Sequence, residues 1–468
     1  VSTAAAITTA RPALVQAISR LALPLVLVLG LGLRIYGLGE DPLWLDEAYS
    51  VNIARFDPVS IAATAEESDT HPPLYYTLLH FWMIPFGDSE AAVRSLSVVF
   101  GTLAVAAAYY VGAYVAGRRV GLAAALFAAV SPFLVEYSQE ARMYALFGAA
   151  SGFSLLILLR QLDRPSRAGT ALYVLATAAV LYSHVYGLFV LLAHALIVAL
   201  NRRDLRRYAA MLAAPLVLFS PWLVAVVRQA SEEVRGGPEA NIAWLPRPEP
   251  SHLESAVRDY MGSRPGVWLA AALCAAALLG VRRWSAIPHA RAVGILVVIP
   301  ILVPFALSYG PVSIFGARYT IPAALALSIG LALVTLRHIG GRLGILAAAA
   351  VTASLVAGVV AYHREPPKQR WDEAVPIVEA GALPGEIVVV DPGYYRVPYR
   401  YYAGRVDVDV RTPDEEPAAL GRRFWIVTVG ESLEVAERLH RPGYVTVETR
   451  RLDGRLGTIH VALLERAS

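Results

Sequence analysis

Apolar residues in the first three quarters of the chain come as long unbroken runs, not in alternation, and short polar loops separate the runs. A run of about 17–25 apolar residues is long enough to cross a bilayer core as a helix. Such runs fall near 21–39, 91–116, 120–136, 143–159, 169–185, 187–200, 209–227, 266–281, 292–309, 317–336 and 343–362. The pattern predicts a mainly α-helical polytopic membrane protein with about eleven transmembrane helices. Arginine-rich loops follow every second run: Arg118-Arg119, Arg160 to Arg167, Asn201 to Arg207, Val281 to Arg291 and Arg337 to Arg342. Cations held on the cytoplasmic side set orientation. With Arg11 and Arg20 also inside, the N-terminus is cytoplasmic, and an odd number of spans puts the C-terminus outside.

The pattern changes twice. The first outer loop, about 40–90, contains HPPLYYTLLHFWMIPFG, where Pro72 and Pro73 suit the first turn of a helix. Leu74, Leu78, Phe81 and Trp82 then make an apolar stripe opposite Tyr76, Thr77 and His80, which predicts an amphipathic helix along the membrane interface. After Pro366-Pro367 the long runs cease. Trp371 to Ala380 reads as a helix, EIVVV, RVDVDV, FWIVTV, YVTVET and TIHVALL read as strands, and Ser432 to Leu439 reads as a further helix. Residues 1–363 are thus expected to form a membrane domain, and 364–468 a small extracytoplasmic α/β domain.

Composition agrees. The 468 residues are 56% hydrophobic and 17% charged, below the roughly 25% charged residues of ordinary soluble domains. A single cysteine, Cys274, excludes intrachain disulfides and cysteine metal clusters. Arginine supplies nearly every cation, Lys368 being the only lysine, a bias that suggests a GC-rich bacterial genome and hence a bacterial inner membrane. No nucleic-acid signature is present. The first run lacks a short core and small-residue cleavage site, so 21–39 reads as a retained span.

The topology brings chemistry-bearing residues to one side: Asp46 and Glu47, His71, Glu136, Glu140, Arg142, His184, Arg318 and Tyr319 each sit at the outer end of a run or in the first loop. Ionisable residues at membrane depth are costly, so their clustering calls for a reason. Taken singly, each has a plain explanation: a solvated loop or helix cap for Asp46-Glu47, a turn for His71, snorkelling for Glu136, Glu140 and Arg142, an end cap for His184, lipid phosphate for Arg318. Glu136 and Glu140, at i,i+4 on one expected helix, would repel unless a cation such as Arg142 or a metal lay between them. All these explanations must hold together on one face, while the inner loops offer only arginines.

WLDEAYS after the first span, HPPLYY about 25 residues later, EYSQEARMYAL after the third and ARYTIPA late in the chain together resemble the GT-C class of polyprenyl-phosphate-dependent glycosyltransferases. More narrowly the chain is similar to the glycosyltransferase family 39/83-like group, which includes protein O-mannosyltransferases and aminoarabinose transferases. The resemblance implies a polyprenyl-phosphate-linked sugar donor, an extracytoplasmic glycan, lipid or protein acceptor, and inversion at the anomeric carbon. It makes Asp46 the catalytic base and Glu47 its acidic neighbour. Glu140 matches the acidic position before the fourth span, Arg318 the late arginine, and Tyr75 lies in the HPPLYY motif. Aminoarabinose transferases carry Glu-Lys where this chain has Thr70-His71, which counts against that sugar and makes His71 a phosphate or metal contact.

Independently of the resemblance, glycosyl transfer from a polyprenyl phosphate needs a base for the incoming hydroxyl and cations for the departing phosphate. Asp46 suits the first role; Arg142, Arg318 and His71 suit the second. Asp46, Glu47, His71, Glu140 and His184 are also suitable ligands for a divalent metal ion. The rival readings are a lipid or sugar transporter or flippase, which would bind near the bilayer midplane, and a noncatalytic scaffold that binds polymer through 364–468. Asp46→Asn is expected to abolish turnover without changing folding or expression, and unchanged turnover would remove Asp46 as base. Arg318→Ala is expected to raise the apparent donor constant, and a normal constant would contradict a phosphate contact.

Overall fold

The computed structural model describes residues 20–69, 71–201, 205–236, 245–280, 284, 286–404, 408–415, 421–430, 435 and 438–467. Arg11, parts of the basic loops at 201–207 and 281–291, and most of the helix expected at 432–439 lie outside them.

In chain order, a helix over 20–35 (α1) is followed by α2 (Leu45–Ala54), α3 (Pro58–Ser68), α4 (Leu74–Phe86) and α5 (Glu90–Ala116). Next come α6 (Arg118–Ala129), α7 (Pro132–Glu136), α8 (Tyr144–Asp163), α9 (Arg167–Ser183) and α10 (Gly187–Asn201). Then follow α11 (Leu205–Gly236), α12 (Pro250–Met261), α13 (Arg264–Leu279), α14 (Ala290–Leu307), α15 (Ile321–Leu333) and α16 (Gly341–Tyr362). Among the described residues six helices are long and apolar enough to cross a membrane, and seven if α12 and α13, bent by 99°, count as one span. The bend turns at Gly262, whose φ of +72° suits glycine. A Cβ there would lie 2.5 Å from the Cα of Gly358 in α16. The other apolar runs, around 21–39, 120–136, 169–185 and 187–200, are helical, but their described helices are shorter than that test requires.

Two sequence expectations change here. The run at 120–136 is not one helix but is broken at Val130-Ser131, because Ser131 caps α7 and precedes Pro132, which disfavours helical backbone in the residue before it. The segment near 229–265, read as a loop, contains the end of α11 and the whole of α12.

The chain divides into two compact units. The first comprises Val1–Tyr36, Val59–Leu78 and Arg94–His363; the second comprises Gly37–Pro58, Leu79–Val93 and Arg364–Ser468.

In the second unit, β1 (Ile387–Asp391), β2 (Asp409–Arg411), β3 (Arg423–Val429), β4 (Tyr444–Leu452) and β5 (Ile459–Arg466) form one sheet in the order β2-β1-β3-β5-β4. β1 pairs in parallel with β2 and β3, whereas β5 pairs antiparallel with β3 and β4. Successive residues alternate between two faces. Val388, Val390, Trp425, Val427, Val461 and Leu463 pack with Trp371, Val375 and Val378 of α17 (Trp371–Gly381), and Val389, Phe424, Ile426, Ala462 and Leu464 form a second cluster. Tyr399 is buried in this core on α18 (Arg396–Tyr402), and Tyr394 is half exposed.

This sheet domain holds α2. The Leu43 N–H donates to Tyr402 Oη at 2.6 Å and the Leu45 N–H to Gln369 Oε1 at 3.0 Å. Lys368 lies over the Trp44 ring at 5.0 Å, and Arg55 over Tyr401 at 5.8 Å. Gln369 Oε1 also accepts from Trp371 Nε1 at 2.9 Å, so the entry to α2 is anchored on the domain's central indole. Trp371→Ala is expected to destabilise the second unit by about 3–5 kcal/mol, read as faster proteolysis within 364–468 in the full-length protein; unchanged protection would contradict this anchoring.

Candidate functional site

In the first unit the site starts from Asp69, at the end of α3. Its carboxylate accepts from His71 Nδ1 at 2.6 Å and from the Tyr76 hydroxyl, and Arg142 Nη1 lies 3.8 Å away. The short His71 contact makes Nδ1 a donor, so the 3.4 Å approach of Arg142 Nη2 to the same nitrogen is packing between two donors and not a hydrogen bond. Arg142 Nη1 donates to Tyr76 Oη at 3.3 Å, so the tyrosine relays the cation to the carboxylate. Burial alone would raise the Asp69 carboxyl, but His71, Arg142 and the Tyr76 hydrogen bond outweigh it and hold the group well below the usual carboxylate range. The backbone of this corner is tied to α11: Gln229 Nε2 donates to the carbonyls of Glu66 at 2.9 Å and Asp69 at 2.8 Å, and Arg228 pairs with Glu66 at 2.9 Å.

Around the ion cluster stands an aromatic wall. His184, just past α9, lies with ring centroids 4.9 Å from His71 and 5.0 Å from Tyr319, and is stacked on Phe147 at 5.2 Å. Tyr144, at the start of α8, is 6.0 Å from His184 and 6.3 Å from Tyr319. His184 Nδ1 accepts from the Tyr186 N–H at 3.1 Å, which leaves the proton on Nε2. That buried Nε2–H has no hydrogen-bond partner among the described residues. Arg318 sits over the Tyr319 ring at 5.3 Å, bringing a second guanidinium to the same wall. Tyr75 Oη pairs with Ser97 Oγ at 2.8 Å, and Ser97 donates to the Arg142 carbonyl at 3.2 Å, so Tyr75 supports the arginine from behind.

Arg142 and Glu140 lie in a non-helical turn between α7 and α8, and both are buried. The helical i,i+4 pairing expected for Glu136 and Glu140 is therefore absent: α7 ends at Glu136. The turn is held by a reciprocal clamp from the end of α1. The buried Arg34 guanidinium donates to Ser138 Oγ at 3.0 Å and to the carbonyls of Gly30, Ala129 and Ala128 at 2.9, 3.2 and 3.2 Å. In return Gln139 Nε2 donates to the carbonyls of Arg34 at 3.1 Å and Tyr36 at 2.7 Å. The clamp satisfies carbonyls that the helix break would otherwise leave unpaired. Gly101 makes room for it, since a Cβ there would meet Ser138 Oγ at 2.0 Å.

The structure thus gathers His71, Arg142, His184, Arg318 and Tyr319, with Tyr75 behind and Glu140 in the same turn as Arg142. Asp46 and Glu47 belong to the second unit, in the first turn of α2: Asp46 is half-buried, and Glu47 is buried with its carboxylate 3.4 Å from the Trp44 N–H. Among the described residues no three His, Cys, Asp or Glu side chains form a group that could hold a metal ion, so the five candidate ligands are not collected into one set. Sequence reasoning missed Asp69, Tyr144 and Arg34, and placed Tyr76 on the polar face of α4. In fact Tyr75, Tyr76 and Leu79 are the buried residues, whereas Phe81 is exposed. The available signal was an acid two residues before His71 and seven before Tyr76.

The family model described as dolichyl-phosphate-mannose-protein mannosyltransferase matches residues 70–230. No curated protein matches the chain. Among solved structures, ArnT from Cupriavidus metallidurans in the apo state is similar at 13% identity and a TM-score of 0.60, covering 94% of this chain and 97% of that one. ArnT bound to undecaprenyl phosphate gives a TM-score of 0.58 at 14% identity with the same coverage. The Archaeoglobus fulgidus oligosaccharyltransferase AglB, in complex with an inhibitory peptide and a dolichol-phosphate, gives 0.52 at 13% identity, over 88% of this chain and 70% of that one. At these identities the likeness establishes a shared fold.

Asp69→Asn is expected to cost about 3–5 kcal/mol, because it removes the buried negative charge that accepts from His71 and Tyr76 and lies 3.8 Å from Arg142. Tyr76→Phe, which removes the hydrogen bond to Asp69 and the one from Arg142, is expected to cost at least about 1.5–3 kcal/mol. Unfolding of the purified variants checks both, and equal, negligible effects would show that Asp69 does not organise the cluster.

Proposed function

We propose that this chain, a multi-pass membrane protein with the fold of the GT-C membrane glycosyltransferases, moves one sugar from a polyprenyl-phosphate donor to an extracytoplasmic acceptor in cell-envelope glycan assembly. The observation that carries this reading is the cluster of Arg142, Arg318 and His71 with the His184 Nε2–H, a buried donor lacking a partner among the described residues. An unsatisfied buried donor costs about 1–3 kcal/mol; a phosphate oxygen would satisfy it. Arginine can bind two such oxygens at once. That ArnT has been seen bound to undecaprenyl phosphate and AglB in complex with a dolichol-phosphate supports a donor of this class.

In the proposed reaction the acceptor hydroxyl oxygen forms a bond to the anomeric carbon from the face opposite the phosphate. The carbon–oxygen bond to the phosphate breaks, and its electron pair leaves on the phosphate. The hydroxyl proton passes to a general base, the role proposed for Asp46 on the strength of its WLDE motif alone. Arg142, Arg318 and His71 offset the charge that develops on the leaving group, while Tyr144, Phe147 and Tyr319 wall the sugar. Inversion at the anomeric carbon follows from this single displacement.

The test is release of polyprenyl phosphate by the purified full-length protein in nanodiscs, offered a panel of polyprenyl-phosphate sugars together with envelope glycans as acceptors. The reading predicts release from at least one donor, coupled to label appearing on the acceptor. Movement of an intact lipid-linked sugar across vesicles without cleavage would establish a flippase instead.

A further inference from the structure

α8 has a second polar assembly at its other end. The helix begins at Tyr144, in the aromatic wall, and ends at Asp163, and its 20 residues set the two ends about 30 Å apart. There a cavity of about 750 Å³ is lined by residues that include Tyr114, Arg160, Arg164, Ser166, Gly169 and Leu172. The lining acid, Asp163, already accepts from Tyr114 Oη at 2.6 Å and pairs with His289 Nε2 at 2.8 Å. Arg160, in the last turn of α8, and Arg164, the non-helical residue just past its end, are exposed, and neither forms an ion pair among the described residues. Arg160 instead lies 5.9 Å from the centroid of the Tyr114 ring.

Two guanidinium groups lining one cavity repel each other, and the cavity supplies a place where an anion would relieve that repulsion. A third positive contribution comes from α9. Ser166 caps this 17-residue helix by accepting from the Gly169 N–H at 3.0 Å, so the helix's positive end forms part of the wall. The lining also has an apolar part, Ile157 of α8 and Leu172 of α9, the latter exposed to 54%. On a membrane-spanning helix such a part faces acyl chains, not water. A soluble anion would gain nothing from it, whereas a lipid would use both halves.

We propose that this cavity binds the phosphate headgroup of an anionic phospholipid, with its acyl chains running over Ile157 and Leu172. The site lies at the end of the bundle that carries the basic loops, where acidic lipids are drawn to arginine clusters between helices. It is independent of the transfer reaction and holds whether or not that reading does.

Full-length protein in nonionic mixed micelles is titrated with fluorescent phosphatidylglycerol, with fluorescent phosphatidylcholine for comparison and inorganic phosphate as competitor. Phosphatidylglycerol is expected to bind saturably and more tightly than phosphatidylcholine. Arg160→Ala with Arg164→Ala is expected to weaken it by about tenfold to thirtyfold, at roughly one arginine's worth of attraction each. Arg164→Gln alone, a change at an exposed side chain that leaves folding intact, is expected to give an intermediate loss. Equal affinity for the two lipids, or unchanged affinity in both variants, would overturn the proposal. Displacement by millimolar inorganic phosphate would also overturn it, as it would mark a site for a free anion.

Discussion

A buried charge must be matched, and in the first unit one carboxylate does the matching. Asp69 takes the imidazole of His71 and the hydroxyl of Tyr76 as direct donors and has the Arg142 guanidinium at 3.8 Å. Those groups come from three separate pieces of chain: the corner after α3, the first turn of α4 and the turn before α8. Separating any one of them from the carboxylate would remove a hydrogen bond or charge contact from a buried ionised group, which is costly out of water. The network therefore fixes His71 and Arg142 in place before any ligand arrives. Preorganised cations of this kind stabilise developing negative charge without reorganising at the moment of reaction.

The turn that presents Arg142 is itself a consequence of a broken helix. Ser131-Pro132 interrupts the run at 120–136, and the freed carbonyls are taken up by Arg34 from α1. An arginine buried among carbonyl oxygens is unusual, but here N–H donors in a rigid fork meet several acceptors at once. Gln139 returns the favour to the end of α1. First helix, broken helix and site turn are thus one hydrogen-bonded body. In the second unit the sheet domain plays the corresponding part for Asp46, because Tyr402 and Gln369 receive the two N–H groups that lead into α2.

Where one physical rule dominates, the sequence was readable. The five strands of the sheet domain were visible as short β-branched and aromatic runs; in β1, Val388 and Val390 face one cluster and Val389 the other, whereas β4 is exposed along most of its length. The long apolar runs were visible because the bilayer demands length, and the gathering of His71, Arg142, His184 and Arg318 followed from their shared position at run ends. The failures came where tertiary pairing overrode local pattern. Tyr76 reads as a polar-face residue of an amphipathic helix, yet it is buried because Asp69 and Arg142 satisfy its hydroxyl. Asp69 looked like a loop acid because its partners lie two, seven and 73 residues away. The break at Ser131-Pro132 was hidden inside an apolar run, and nothing near Arg34 in the sequence pointed to the carbonyls it meets. That α2 would be held by residues more than 300 positions later had no local signal at all.

The central claim is that the Asp69-organised cluster is where a polyprenyl phosphate seats its charged end. Photo-crosslinking with a polyprenyl phosphate bearing a diazirine next to the phosphate, followed by peptide mapping of the full-length protein, tests it most directly. The account predicts adducts on the segments around His71 to Tyr76, Arg142 to Phe147, His184 and Arg318 to Tyr319, reduced when natural polyprenyl phosphate competes. Competable adducts confined to other segments would contradict it.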